Sequence, residues 1–371
     1  MKPIYLDYAA TTPVDKAALN AAKPYMNSVF YNPSSMHSLG RKAYAAVEHA
    51  REQTARAIGA SAKDIIFTSS GTEAIEQAML CTPLGSKSKV IISAIEHESV
   101  VSCAEALTKC GITVVKVLPN SDGIITPDAL ERVIDEKTSL VCVMTVNNQT
   151  GAIQPIKELA AVSHNHGALF FTDAVQAVCS VDINVADSDV DLLAASAHKF
   201  YSLKGGGFLY RKSNIKLIPL IVGGKQESGM RAGTENVPSV VAMGEAIELA
   251  VKNRHEYIEH ITQVENAFFD ALTVGKIVPV TNRSPGISSV VFDGVNGGRL
   301  AIALSMAGVC CSVGSACSSG SATPPPTLVA MNVKNADCAV RFSFGRSTTA
   351  DEAVRAAKIV NLTVEKLKNN R

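Results

Sequence analysis

Short apolar runs recur along the first two-thirds of the chain, each closed by small or polar residues. Ile65-Ile66-Phe67-Thr68, Val90-Ile91-Ile92 and Val114-Val115-Lys116-Val117 read as strands, and Ser139 to Val146 reads as the longest of them. Leu169-Phe170-Phe171-Thr172 and the run Val190 to Ala195 read the same way. Helical stretches from Ala74 and from Pro155 lie between them, and Thr126-Pro127 predicts an N-cap with proline in the first turn. Strand and helix signals in this alternation predict a mostly parallel sheet covered by helices, an α/β fold.

The residues that close the strands form a pattern of their own. Thr72, His97, Asn148, Asp173 and the segment Ser196-Ala197-His198-Lys199 all fall just beyond strand ends. Open α/β sheets bind ligands in the crevice at those carboxyl ends. Lys199 sits before the glycine-rich Lys204-Gly205-Gly206-Gly207, a setting in which a desolvated lysine can hold a cofactor aldehyde as a Schiff base. Asp173, at the end of a buried strand with Gln176 close behind, calls for a cationic partner. A protonated pyridine nitrogen is one such partner, and lysine with aspartate is the pair that pyridoxal phosphate requires. Singly, each has a plainer reading, as a helix cap or ion-pair partner and as a solvated side chain. The turn Ser70-Gly71-Thr72-Glu73 offers free N–H groups to an anion or is a plain N-cap. His97, between two glutamates, is a surface residue or a flat ring stacked on a heteroaromatic cofactor.

From Asn236-Val237-Pro238 a long helical region reaches about Leu272, and the character then changes. Ile287 to Phe292, a helix from Arg299 to Ala307, Val340 to Phe344 and a final helix opening on a Thr349/Glu352 capping box predict a smaller α/β unit. The domain border falls inside or near the long helix. The expected division is a large domain over 14–255, and a small one from 1–13 plus 256–371.

Composition narrows the classes of function. The 371 residues carry a net charge of +1, 5% aromatic residues and no Trp, which leaves no footprint for DNA, RNA or an anionic membrane. No apolar run approaches a membrane span, and an acid at Asp7 precedes any stretch of signal-peptide length, so a soluble, cytoplasmic protein is expected. Nine scattered cysteines with no C-x-x-C pair give no metal site. Most read as small buried residues in a reducing compartment. Cys317 differs: it lies in Gly314-Ser315-Ala316-Cys317-Ser318-Ser319-Gly320, small and polar on both sides, where a thiol is reachable.

As a set, these residues resemble the cysteine desulfurases of the NifS/IscS type, within the aminotransferase class V group of fold-type I pyridoxal phosphate enzymes. The resemblance runs end to end, through Tyr5-Leu6-Asp7-Tyr8-Ala9-Ala10-Thr11-Thr12, Asn32-Pro33-Ser34-Ser35, Phe67 to Glu73, Glu96-His97, Val146-Asn147-Asn148 and Asp173 to Gln176. It continues through Ser196 to Lys199, Gly229 to Thr234, Gly314 to Cys317 and Arg341-Phe342-Ser343. It implies a pyridoxal 5′-phosphate enzyme that converts L-cysteine to L-alanine. Lys199 would bind the cofactor aldehyde and move the Cα proton, Asp173 would keep the pyridine nitrogen protonated, and His97 would stack on the ring. Gln176 would contact the phenolic oxygen, while Gly71, Thr72, Ser196 and His198 would hold the phosphate, with Thr234 reaching it from the other subunit of a homodimer. Asn148 and Arg341 would bind the substrate carboxylate, for which a guanidinium is well shaped. Cys317 would take the sulfur as a persulfide and pass it to acceptor proteins, such as an iron–sulfur scaffold or a tRNA-thiolation enzyme. Thiamine, molybdenum cofactor and DNA phosphorothioation pathways also draw on such enzymes. A selenocysteine lyase, an aminotransferase and a non-catalytic scaffold are the other readings of the same fold. Two positions depart from the family: Ser202-Leu203 stands for the usual Gly-Pro, and Gln77 for a common Asn.

Overall fold

The computed structural model describes residues 2–83, 85, 87–314 and 323–369. After β1 (Ile4–Tyr5) come helices α1 (Lys16–Asn27) and α2 (Ser38–Ala57). The chain then lays down β2 (Ile65–Thr68), α3 (Gly71–Leu80), β3 (Lys89–Ser93), α4 (Glu98–Lys109), β4 (Thr113–Val117) and α5 (Pro127–Glu131). It continues with β5 (Thr138–Cys142), α6 (Ile156–Asn165), β6 (Leu169–Asp173), α7 (Val185–Ser188), β7 (Leu192–Ser196) and β8 (Gly207–Arg211). β2 to β8 form one seven-stranded sheet in the order β2-β8-β7-β6-β5-β3-β4. β8 pairs antiparallel with both neighbours, and the other pairings are parallel.

The strands are apolar on both faces because both faces are covered. Side chains alternate along each strand, so odd and even positions feed different cores. Phe67, Val141, Phe170 and Phe208 pack against Val47 and Ala50 of α2. Met243 and Ile247 of α8 (Val237–Lys252) complete that face. Ile66, Ile92, Phe171 and Leu209 face the other way, onto Ile75 and Met79 of α3 and Val100 and Leu107 of α4.

The last third builds α9 (Arg254–Ala271), β9 (Lys276–Ile277), β10 (Ile287–Val291), α10 (Gly297–Met306), β11 (Val309–Cys310), α11 (Pro326–Ala330), β12 (Ala339–Ser343) and α12 (Ala350–Asn369). β12, β10 and β9 form an antiparallel sheet in that order, and β11 pairs in parallel with β1. Leu6 joins Phe268, Phe292, Phe342 and Val360 in a separate core. Thr349 and Glu352 exchange backbone and side-chain hydrogen bonds at the head of α12, a capping box.

Three sequence expectations need correction. The strand expected to run to Val146 ends at Cys142. Val143 and Thr145 still donate to Phe171 and Asp173, but on the β3 side the Met144 amide is taken by the Glu96 carboxyl at 2.8 Å, and the ladder stops. The long helix from Asn236 to Leu272 is two helices, broken at Asn253 (φ −104°, ψ 13°). The helix expected from Ala74 begins at Gly71, because Ser70 Oγ accepts from the Glu73 amide and caps it there.

Candidate active site

A cavity of about 360 Å³ opens beyond the carboxyl ends of β2, β3, β5, β6 and β7. One end is the head of α3. Ser70 Oγ satisfies the Glu73 amide, while Gly71 N and Thr72 N carry no hydrogen bond among the described residues. Ser196 Oγ, at the end of β7, is likewise without one, and the free N–H groups of a helix start favour an anion. His198 adds a ring whose Nδ1 lies 3.1 Å from Thr11 Oγ1. Burial, together with the charges of Lys199 and Lys204, pushes its pKa down to about 4, so the ring is neutral at physiological pH.

At the floor stands Asp173, 3% exposed. Its Oδ1 accepts from the Val175 amide at 2.8 Å, and Oδ2 has no donor among the described residues. Burial raises its pKa, while His97, the Val175 N–H and Lys199 oppose the rise. A carboxylate in this position, with one oxygen unfilled, is suited to a buried cation. His97 is the N-cap of α4; its Nδ1 lies 2.8 Å from Ser99 Oγ and 3.2 Å from the Ser99 amide, which fixes the ring at the cavity wall. Lys199 follows β7 in a short 3₁₀ turn and donates to the carbonyls of Ala9 (2.5 Å) and Ala10 (2.9 Å).

Arg341 enters from β12, across from the main sheet, and is 1% exposed. Nη1 donates to Asn148 O at 2.8 Å and Nη2 to Asp7 Oδ1 at 2.9 Å, while Nε is buried with no partner. Burial pulls the guanidinium pKa down and Asp7 holds it up.

The cavity thus gathers Gly71, Thr72, His97, Asn148, Asp173, Gln176, Ser196, His198, Lys199 and Arg341. Gln176 Nε2 is held by Ala9 O at 2.8 Å, which leaves its carbonyl oxygen without a partner. Thr234 is elsewhere: it lines a neighbouring cavity of about 190 Å³ with Arg231, Asn236 and Ser239. Ser69, Gly205 and Gly206 border both cavities. Cys317 lies outside the described residues. Sequence reasoning missed Asp7, the carbonyls of Ala9 and Ala10, and Glu96. The first three stand in a motif that was visible, yet nothing in its letters says which atoms turn inward. At the first departure from the family, Tyr201 takes φ 66° and Ser202 is buried with an unpartnered hydroxyl. At the second, Gln77 Nε2 donates to Met230 O at 2.9 Å.

The donor set fits pyridoxal 5′-phosphate. Free N–H and hydroxyl donors would suit its anion, a buried carboxylate its ring nitrogen and a lysine its aldehyde. The aminotransferase class-V family profile matches residues 4–355. The chain is similar to the cysteine desulfurase IscS of Dictyoglomus turgidum, at 40% identity over 99% of this chain and 96% of that one. Among solved structures, a NifS-like protein superposes with a TM-score of 0.92 at 31% identity, covering 98% of this chain and 100% of the other. A structure described as SspA in complex with cysteine gives a TM-score of 0.82 at 34% identity, covering 92% and 98%.

Proposed function

The chain belongs to the aminotransferase class-V family, and we propose that it is a pyridoxal phosphate-dependent cysteine desulfurase. The observation that carries this reading is the meeting of Lys199, Asp173 and an under-occupied Arg341 in one cavity. A lysine and an aspartate serve the cofactor, and a buried guanidinium with its Nε unfilled asks for the carboxylate of an amino acid.

When bound, the cofactor supplies an aldehyde for the substrate amine and a ring that draws electrons from the substrate carbons. Gly71 N, Thr72 N, Ser196 Oγ and the neutral His198 would hold its phosphate. Asp173 Oδ2 would keep a proton on the ring nitrogen, His97 would cover the ring face, and Gln176 would contact the phenolic oxygen. Arg341, with Asn148, orients the substrate carboxylate. Lys199 Nζ, once neutral, takes and returns the Cα proton. Cys317 attacks the substrate sulfur as thiolate. The new S–S bond forms as the Cβ–S bond breaks, the electron pair stays with the carbon fragment, and protonation releases alanine. The enzyme keeps the sulfur as a persulfide for an acceptor protein, with iron–sulfur assembly or tRNA thiolation as the destination.

Thr234 on the rim of the neighbouring cavity supports a homodimer in which it completes the partner's phosphate site. The cores on the two faces of the seven-stranded sheet, and the separate core built around Phe268 and Phe342, support a large domain over 14–255 and a small one from 1–13 plus 256–371. No helix among the described residues is long and apolar enough to cross a membrane, and we place the enzyme in the cytoplasm.

The test is Cys317→Ser. The variant should still bind L-cysteine, seen as a change in visible absorption, yet form neither persulfide nor sulfide. Undiminished production of alanine and sulfide by this variant would sink the proposal.

A further inference from the structure

Residues 7–12 thread between the two halves of the cavity. Ala9 and Ala10 hold the Lys199 ammonium through their carbonyls, and Gln176 grips Ala9 O. Thr11 Oγ1 meets His198, and the Thr12 amide donates to His198 O at 3.1 Å. On the other side Ala9 N donates to Ser343 Oγ at 2.9 Å, and Tyr8 packs so closely on Gly345 that a Cβ there would lie 2.1 Å from its ring. At the head of this strap Asp7 forms a bridge with Ser343 and gives Oδ1 to Arg341 Nη2. The strap therefore fixes Asp7 on the strand that carries Arg341.

A guanidinium has five N–H donors. Arg341 fills one with the neutral carbonyl of Asn148 and one with Asp7, and its Nε has no acceptor. Among the described residues Asp7 is thus the only carboxylate hydrogen-bonded to Arg341, which is 1% exposed. Such a cation needs a counter-charge to offset the cost of its burial, and a tethered acceptor to keep one orientation while its other donors wait for a ligand. We propose that Asp7 is a positioning residue for substrate recognition: it offsets the buried charge of Arg341 and keeps the guanidinium aimed, and so sets the preference for amino acids over amines of the same shape. This inference rests on Arg341 being the carboxylate-binding residue.

Cysteamine matches cysteine in thiol and amine and lacks only the carboxylate. Both are titrated into the holoenzymes of wild type, Asp7→Ala, Asp7→Asn, Arg341→Ala and the double Ala variant, following visible absorption, with kcat and KM for cysteine measured alongside. Asp7→Ala should lose about tenfold or more of the preference for cysteine over cysteamine, the weight of one charge-assisted hydrogen bond. The loss should appear in KM, cysteamine binding should change little, and Asp7→Asn, which keeps an acceptor, should fall between. Asp7→Ala should add nothing once Arg341 is Ala, as expected of residues that act through one contact. Equal weakening of both ligands would make Asp7 merely structural, and a sharpened preference would make it a competitor; either overturns the proposal. A preference lost in Arg341→Ala but kept in Asp7→Ala sinks Asp7 alone. A preference unchanged in Arg341→Ala removes the carboxylate role of Arg341 and this inference with it.

Discussion

Glu96 Oε2 is buried without a hydrogen-bond partner, while Oε1 accepts from Ser93 Oγ at 2.5 Å and from the Met144 amide. Burial, aided by the nearby charge of Asp173, pushes its pKa up to about 8 against the two hydrogen bonds that favour the anion. The carboxyl therefore carries a proton at neutral pH when the chain is folded and loses it when the chain unfolds. Between the unfolded carboxylate pKa and about 8 the folded state binds the extra proton, so stability falls as pH rises, by up to ~1.4 kcal/mol per pH unit. Glu96→Gln is a neutral replacement of the same shape. The expected outcome is a smaller loss of the urea midpoint from pH 5 to pH 8 than in the wild-type holoenzyme. Equal slopes in variant and wild type would show that Glu96 ionises as freely folded as unfolded. Nothing in the letters Glu96-His97-Glu98 distinguishes this carboxyl from its exposed neighbour Glu98, since burial of one oxygen depends on Met144, far along the chain. Lys199 and Asp173 were legible for the opposite reason: Asp173 ends an apolar run and Lys199 follows one within a few residues, so the place of each relative to the sheet follows from local order.

At the scale of the element, glycines decide how closely the strand ends approach. Gly207 pairs with Thr68 and with Ser196, so β8 runs between the phosphate-facing turn and the strand that leads to Lys199. A Cβ on Gly207 would lie 2.6 Å from the Ser70 carbonyl carbon and 2.8 Å from Ala195 O. Both are backbone atoms of packed strand ends, so no side chain can rotate out of the way. Gly207→Ala is expected to destabilise the protein by about 1–3 kcal/mol. Because the displaced turn is the head of α3, cofactor release should also quicken. Urea melts and the rate of loss of visible absorption on dilution check the two parts, and an unperturbed holoenzyme would contradict the role given to this turn. In the sequence the run Lys204 to Gly207 stood out only as the glycine-rich neighbour of Lys199, since its letters do not say which backbone packs against it. Element boundaries were less legible than elements: β5 was read too long, since Glu96 competes for its ladder, and α8 and α9 were read as one helix, since Asn253 is an ordinary helical residue by its letter. The alternation from β2 to β7 was readable, because strands covered on both faces stay largely apolar, whereas β8, which starts in the glycine run, was not read from the sequence.

Across the whole molecule, the large and small units are fastened beside Lys199. Arg346 lies 3.4 Å from the centroid of the Tyr201 ring and 4.6 Å from that of Tyr257, and pairs with Asp15 at 3.3 Å. Arg346 leaves β12 shortly after Arg341, and Tyr201 leaves the turn of Lys199, so substrate and cofactor groups sit on one braced frame. What the frame lacks is Thr234, which faces the neighbouring cavity beyond Gly205 and Gly206. A two-fold dimer places the same patch of each subunit against the other, so a residue outside its own site can complete its partner's. Mixing two damaged chains tests this. In a heterodimer of Thr234→Ala with Lys199→Ala, exchange across the interface leaves one site with an intact lysine and an intact threonine, and concentrates both lesions in the other. Desulfurase activity and cofactor retention in that heterodimer should exceed the mean of the two parent homodimers and approach half of wild type. If Thr234 served its own subunit, each site would keep one lesion, the mixture would equal the mean of its parents, and the shared site would be excluded.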